Sequence, residues 1–147
     1  MFGHWVLISF FSMMKILIIL LSLFSSTLRA DIAVIGNINN ELRSMSPKEV
    51  KEVFMGRTRS LPNGIFALPL DHHELRSDFY QSLTNRPIEQ INAYWARIMF
   101  SGQASPPIKL ADSRTIIKVV IENKGAIGYV DATDINKNVV RVLLILK

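Results

Sequence analysis

The sequence predicts an α/β fold in which a mixed β-sheet is flanked by helices. Three observations carry this. Short apolar, β-branched runs alternate with segments whose apolar residues recur at helical spacing. The helical segments open on strong capping residues and close on glycine or on a polar break. The two strongly apolar runs, residues 32–36 and 139–146, stand at opposite ends of the body and are expected to pair near the sheet centre.

The elements follow in order. Residues 32–36 (Ile-Ala-Val-Ile-Gly) read as a buried strand, and residues 37–44 as a polar, turn-rich loop. Ser46-Pro47-Lys48-Glu49 opens a helix. Ser46 is a cap, Pro47 fits the first helical position and Glu49 completes a capping box. Val50, Val53 and Phe54 then face a core, and Gly56 ends the helix. A loop ending in Asn63-Gly64 precedes a second strand over residues 65–70. Leu75, Phe79 and Leu83 give a helix over residues 75–83, and Asn85-Arg86-Pro87 interrupts it. A longer helix over residues 87–100 carries the apolar stripe Ile88, Ile91, Trp95, Ile98 and Met99. Residues 108–110 are extended. Residues 113–124 form a helix capped by Asp112 or Ser113, with Gly125 expected as its stop, and residues 126–130 form a strand.

The first 30 residues are read separately. Met13-Met14-Lys15, an apolar run over residues 16–24 and a small polar exit ending at Ala30 give the layout of a signal peptide cut after Ala30. Met13 and Met14 are alternative starts. The rival is an uncleaved inner-membrane anchor, since residues 5–24 are long enough to span a bilayer, with Lys15 in the middle. Removing residues 1–30 from 147 leaves 117, enough for one domain over residues 31–147 and not two. Lys15 and Arg29 fall in the leader, so 15 of the 17 basic residues remain against 12 acidic, a net charge of +3. That excess suits small anions or anionic surfaces. No dense basic run or basic-aromatic interleaving points to nucleic acid. The chain has no cysteine, hence no disulfide, thiolate nucleophile, zinc-thiolate site or lipidated N-terminus.

Four short motifs recur in order through the body: Phe54-Met55-Gly56-Arg57, Leu61-Pro62-Asn63-Gly64, Arg76 with Phe79, and Gly125-Ala126-Ile127-Gly128-Tyr129. Together they resemble the phosphate-binding proteins of ABC transporters, which are type 2 periplasmic solute receptors. That family carries Phe-Leu-Gly-Lys, then Trp-x-Asp-Gly, then a loop of the form Ser-Gly-Thr-Arg-x-x-Phe, and finally Gly-x-Ile-Gly-Tyr. The resemblance covers residues 32–130 and implies one lobe of a type 2 periplasmic-binding-protein-like fold. It also implies an exported, non-catalytic, periplasmic solute-binding role, with phosphate or another oxyanion as ligand and a membrane transporter or envelope protein as partner.

The loop that should hold the anion is altered. His73, Glu74 and Leu75 stand where the family has Ser-Gly-Thr. In the family pattern, small residues let backbone N–H groups at a helix start meet an oxyanion. The replacement removes two hydroxyls and the glycine, and puts a carboxylate at that helix start. Weak binding is therefore expected, with Arg76, His73, the backbone at Glu74 and Leu75, and behind them Ser44 and Thr58, as the candidate residues. The alternative is an interaction module that has lost its ligand and docks on an envelope protein. A dimer of facing lobes is a further arrangement, and the oligomeric state stays open.

Each candidate has a plainer reading. Arg76 is expected as a solvated side chain paired with Glu74 or Asp78 if it holds no anion. Asp71-His72-His73-Glu74 offers metal-ligand types, but adjacent loop residues rarely converge on one ion, so a polar rim loop is expected. Trp95 reads as core, and Arg57 and Arg97 as surface. No nucleophile elbow, activated base or Walker loop is present, so neither enzyme activity nor a cofactor is expected.

Overall fold

The computed structural model describes residues 30–147, and the leader or anchor expected over residues 1–30 lies almost wholly outside them. Among the described residues, no helix is long and apolar enough to cross a membrane. Five strands and four α-helices occur among the described residues, in the order β1 (Ile32–Asn37), α1 (Pro47–Phe54), β2 (Leu68–His72), α2 (Arg76–Thr84), α3 (Ile88–Phe100), β3 (Ile108–Leu110), α4 (Ser113–Glu122), β4 (Ala126–Asp131) and β5 (Val140–Leu146). The strands form one mixed sheet in the order β3-β2-β4-β1-β5. β2 runs parallel to β3 and β4, and β1 runs antiparallel to β4 and β5. The two apolar runs at the ends of the body do pair, Ile32 opposite Leu146, but the centre of the sheet is β4 and β5 is an edge.

Both faces of the sheet are covered, which is why β1 and β4 read as continuous apolar runs. On one face Ile32, Val34, Ile127 and Tyr129 meet α1, α2 and α3 through Val50, Phe54, Phe79, Ile91 and Trp95. On the other face Ala33, Ile35, Ala126 and Val130 meet α4 through Ile116 and Val120. The first layer is built on aromatic rings. Phe79 stacks on Tyr129 at 3.6 Å and 6°, and Phe54 meets both edge-on at 4.8 and 5.7 Å.

Helix α1 forms as its sequence requires. The Ser46 hydroxyl accepts from the Glu49 N–H at 3.2 Å, and the Glu49 carboxylate accepts from the Ser46 N–H at 2.7 Å. Gly56 follows the helix at φ +67°, and a Cβ there would stand 2.7 Å from the Trp95 ring. Trp95 is core, and Arg57 and Arg97 are exposed.

Three boundaries differ from expectation. β2 spans Leu68–His72, not 65–70, because Phe66 pairs only in an isolated bridge with Ser60 and Ala67 donates its N–H to Arg59 instead. The ladder with β4 begins at Leu68 opposite Ala126, so Asp71 and His72 belong to a buried strand end and not to a rim loop. α4 ends at Glu122 rather than at Lys124. The buried Asn37 amide donates to the Val120 and Ile121 carbonyls at 2.8 and 2.9 Å and closes its last turn.

Gly125 has a different task. Its carbonyl accepts from the Leu68 N–H, and a Cβ on it would stand 2.0 Å from the Phe66 carbonyl oxygen. Gly125→Ala must therefore push β2 and β4 apart at their first pair, and is expected to cost about 3 kcal/mol, the upper part of the overpacking range. The urea midpoint checks it; an unchanged midpoint would contradict this packing.

Candidate functional site

The parallel strands β2, β3 and β4 end together, and the carboxyl ends of such strands are where open α/β sheets take ligands. A cleft opens there, lined by His72, Glu74 and Leu75 after β2, Asp112, Ser113, Arg114 and Ile117 at the start of α4, and Asp131 and Asp134 after β4. Asp112 caps α4 by accepting from the N–H and hydroxyl of Thr115, both at 2.8 Å. Asp131 does the same for Thr133 at 2.8 and 2.7 Å. These bonds hold both carboxyls below the usual carboxylate range. Four acidic residues and one arginine therefore line the cleft beside His72.

Two consecutive residues at the end of β2 organise the site from opposite faces. Asp71 points into the aromatic layer and is 2% exposed. Its Oδ2 accepts from Arg76 Nε at 2.8 Å, and its Oδ1 accepts from the hydroxyls of Tyr80 and Tyr129, both at 3.1 Å. Burial pushes the carboxyl up from its usual value, while the Arg76 guanidinium and the two phenols pull it back. Burial and the adjacent carboxylate drive both phenols upward, so they remain donors. Arg76 also donates from Nη1 to Asn92 Oδ1 at 2.6 Å and lies 5.2 Å from the Tyr80 ring centre.

His72 points to the cleft. Its Nδ1 accepts from the backbone N–H groups of Glu74 at 3.2 Å and Leu75 at 3.4 Å, and its Nε2 lies 3.2 Å from Ser113 Oγ. Leu75 is the residue before α2 and offers no side-chain cap. An imidazole nitrogen thus takes the backbone donors that, in an unblocked turn, would be free to meet an anion.

The six residues expected to bind do not converge. Glu74 and Leu75 line the cleft, His73 is exposed beside it, and Arg76 is tied to Asp71 and Asn92 rather than to Glu74. Ser44 is exposed ahead of α1 and lines neither cleft nor groove. Thr58 lies at the other end of the sheet. It lines an apolar groove with Phe66, Met99 and Ile108, which are 69%, 56% and 51% exposed. Among the described residues, no group of three His, Cys, Asp or Glu side chains is placed to hold a metal ion. The sequence reading passed over Tyr80 and Asn92, weighed Asp71 and His72 only as metal-ligand types on a rim loop, and took Ser113 only as a helix cap. The one available signal was an acidic residue ending an apolar strand with an arginine five positions on.

The same fold occurs in solved structures. One is a protein from Clostridium perfringens assigned as a phosphate ABC transporter substrate-binding protein and solved with bound phosphate (TM-score 0.60, 17% identity), covering 78% of this chain and 45% of that one. Another is an ABC-type phosphate transport receptor from Vibrio cholerae (TM-score 0.59, 12% identity), covering 78% and 46%. A third, from Planctomyces limnophilus, is described as a possible phosphate binding protein (TM-score 0.51, 13% identity), covering 78% and 41%. The chain thus has the α/β fold of these substrate-binding proteins over less than half of their length. No protein-family model and no curated protein matches it.

The burial of the Asp71–Arg76 pair makes it structural. Arg76→Ala strands the Asp71 carboxylate and is expected to lower unfolding stability by about 3–5 kcal/mol. Tyr129→Phe, which removes one donor to a charged acceptor, should cost about 1.5–3 kcal/mol. Urea unfolding measures both, and an Arg76→Ala variant as stable as wild type would refute the structural role.

Proposed function

We propose that this chain is an exported, non-catalytic lobe of the solute-binding type that works in the periplasm through contact with an envelope protein, and that it does not hold phosphate at the β2–α2 turn. The observation that carries this reading is the His72 imidazole on the Glu74 and Leu75 N–H groups. Two further features support it. The arginine nearest that turn is bound to Asp71 and Asn92, and the cleft around it is acidic. A phosphate entering there would give up water for a turn whose Glu74 and Leu75 N–H groups are already used, in a cleft where four acidic residues outnumber Arg114.

A receptor for phosphate or another oxyanion is the second reading. The bound phosphate in the Clostridium perfringens protein of the same fold favours it. In that reading Arg76, His73, Glu74, Leu75, Ser44 and Thr58 would have to rearrange to surround the anion, and a membrane transporter would be the partner.

Thermal unfolding of the full chain with and without phosphate and sulfate separates the two. A ligand at about 100 times its Kd stabilises the fold by about 2.7 kcal/mol. The docking reading expects no shift with either anion. A shift with phosphate that is lost in a variant of the β2–α2 turn would establish the receptor instead.

A further inference from the structure

His72 joins three parts of the fold through one titratable ring. It ends β2 and is 4% exposed, its Nδ1 takes the N–H groups of Glu74 and Leu75, and its Nε2 meets Ser113 Oγ in the first turn of α4. Nδ1 accepts two N–H groups only while it carries no proton. The neutral ring therefore bears its hydrogen on Nε2 and donates it to Ser113 Oγ.

We propose that His72 is a pH-sensitive clasp, which ties the β2–α2 turn to the start of α4 when neutral and releases the turn when protonated. Protonation places a third N–H at the point where two already converge. Both contacts at Nδ1 then become repulsive, and the turn must move away or the ring must swing out.

The groups around the ring set where this happens. Glu74 on the turn, Asp112 at the start of α4 and Asp134 after β4 favour the charged form, while burial and His73 oppose it. Arg114 and Asp131 line the same cleft. Asp71 faces the opposite side of the strand and is held by Arg76. Burial is the largest of these influences and leaves the ring below the usual histidine value. The unfolded chain therefore takes up the proton first. The clasp contributes its full stability above about pH 6.5, and loses it as the pH falls from there through the lower folded value.

This inference needs neither a ligand nor a partner; it shares with the function proposed above the contact of His72 with the Glu74 and Leu75 N–H groups, and its test reads titration of that contact where the other reads anion binding. Its consequence for the cleft is a wider mouth and one added positive charge in acid.

Nitrogen-15 NMR of the full chain between about pH 8 and pH 4.5 tests it. The expected result has the neutral ring protonated on Nε2. The ring then titrates below the ordinary histidine midpoint, and the backbone amides of Glu74, Leu75 and Ser113 shift with that same midpoint and lose protection from exchange. His72→Asn supplies a carbonyl oxygen that does not titrate in this range, and should remove the shared transition. Amides that ignore the ring's midpoint in the wild type overturn the proposal, and so does an unchanged transition in His72→Asn. If that variant does not fold, the wild-type comparison of ring and amides decides alone.

Discussion

The described fold is organised around one buried carboxylate. Asp71 is the penultimate residue of the strand β2, yet its side chain holds residues from two other elements: Arg76 and Tyr80 on α2 and Tyr129 on β4. A carboxylate taken out of water costs several kcal/mol unless its oxygens are satisfied, and here three donors meet it. The arrangement fixes the direction of α2 against the sheet and sets the Phe79 ring flat on Tyr129. Each partner needs the others. Without Arg76 the carboxylate is uncompensated, and without the carboxylate two phenols and a guanidinium lose their acceptor in the aromatic layer.

The same strand end determines what the cleft can do. Side chains alternate across a strand, so when Asp71 faces the helical trio His72 must face α4. From there its imidazole reaches back to the turn that follows it. The Glu74 and Leu75 N–H groups, the Nε and Nη1 of Arg76 and, through the Asp112 carboxylate, the Thr115 N–H in the first turn of α4 have partners within the chain. The chain shares its fold with phosphate-binding proteins over less than half of their length, while the Glu74 and Leu75 N–H groups at this turn are bonded to His72. Fold likeness and site chemistry are separate findings, and it is the second that bears on function.

Much of the architecture was legible in the residues because local rules and tertiary packing agree. The capping box at Ser46 and Glu49, the stop at Gly56 and the apolar runs of β1 and β4 all occur where the pattern places them. The motif Gly125-Ala126-Ile127-Gly128-Tyr129 was visible as a motif, but its causes were not. Gly125 makes room for a carbonyl of a distant loop, Gly128 for the Ile116 side chain, and Tyr129 carries a hydroxyl to Asp71. The candidate site was less legible. Whether Arg76 meets solvent, an anion or Asp71 depends on a strand boundary that moved by two residues at its end, from Leu70 to His72. Local pattern cannot see that boundary, because Pro69 and the polar pair Asp71-His72 both argue for an earlier stop, and only the parallel ladder with β3 extends the strand. Asn37 closing α4 is hidden for the same reason, since its partners lie 83 and 84 positions away.

In the ligand-free chain Arg76 is tied to the core by its bond to Asp71. A double-mutant cycle on Asp71→Asn and Arg76→Gln, read by urea unfolding of the ligand-free chain, measures it directly. A coupling of about 2 kcal/mol or more would match a buried, hydrogen-bonded pair. A coupling below about 0.5 kcal/mol, the level of independent sites, would contradict the account and return the guanidinium to the cleft.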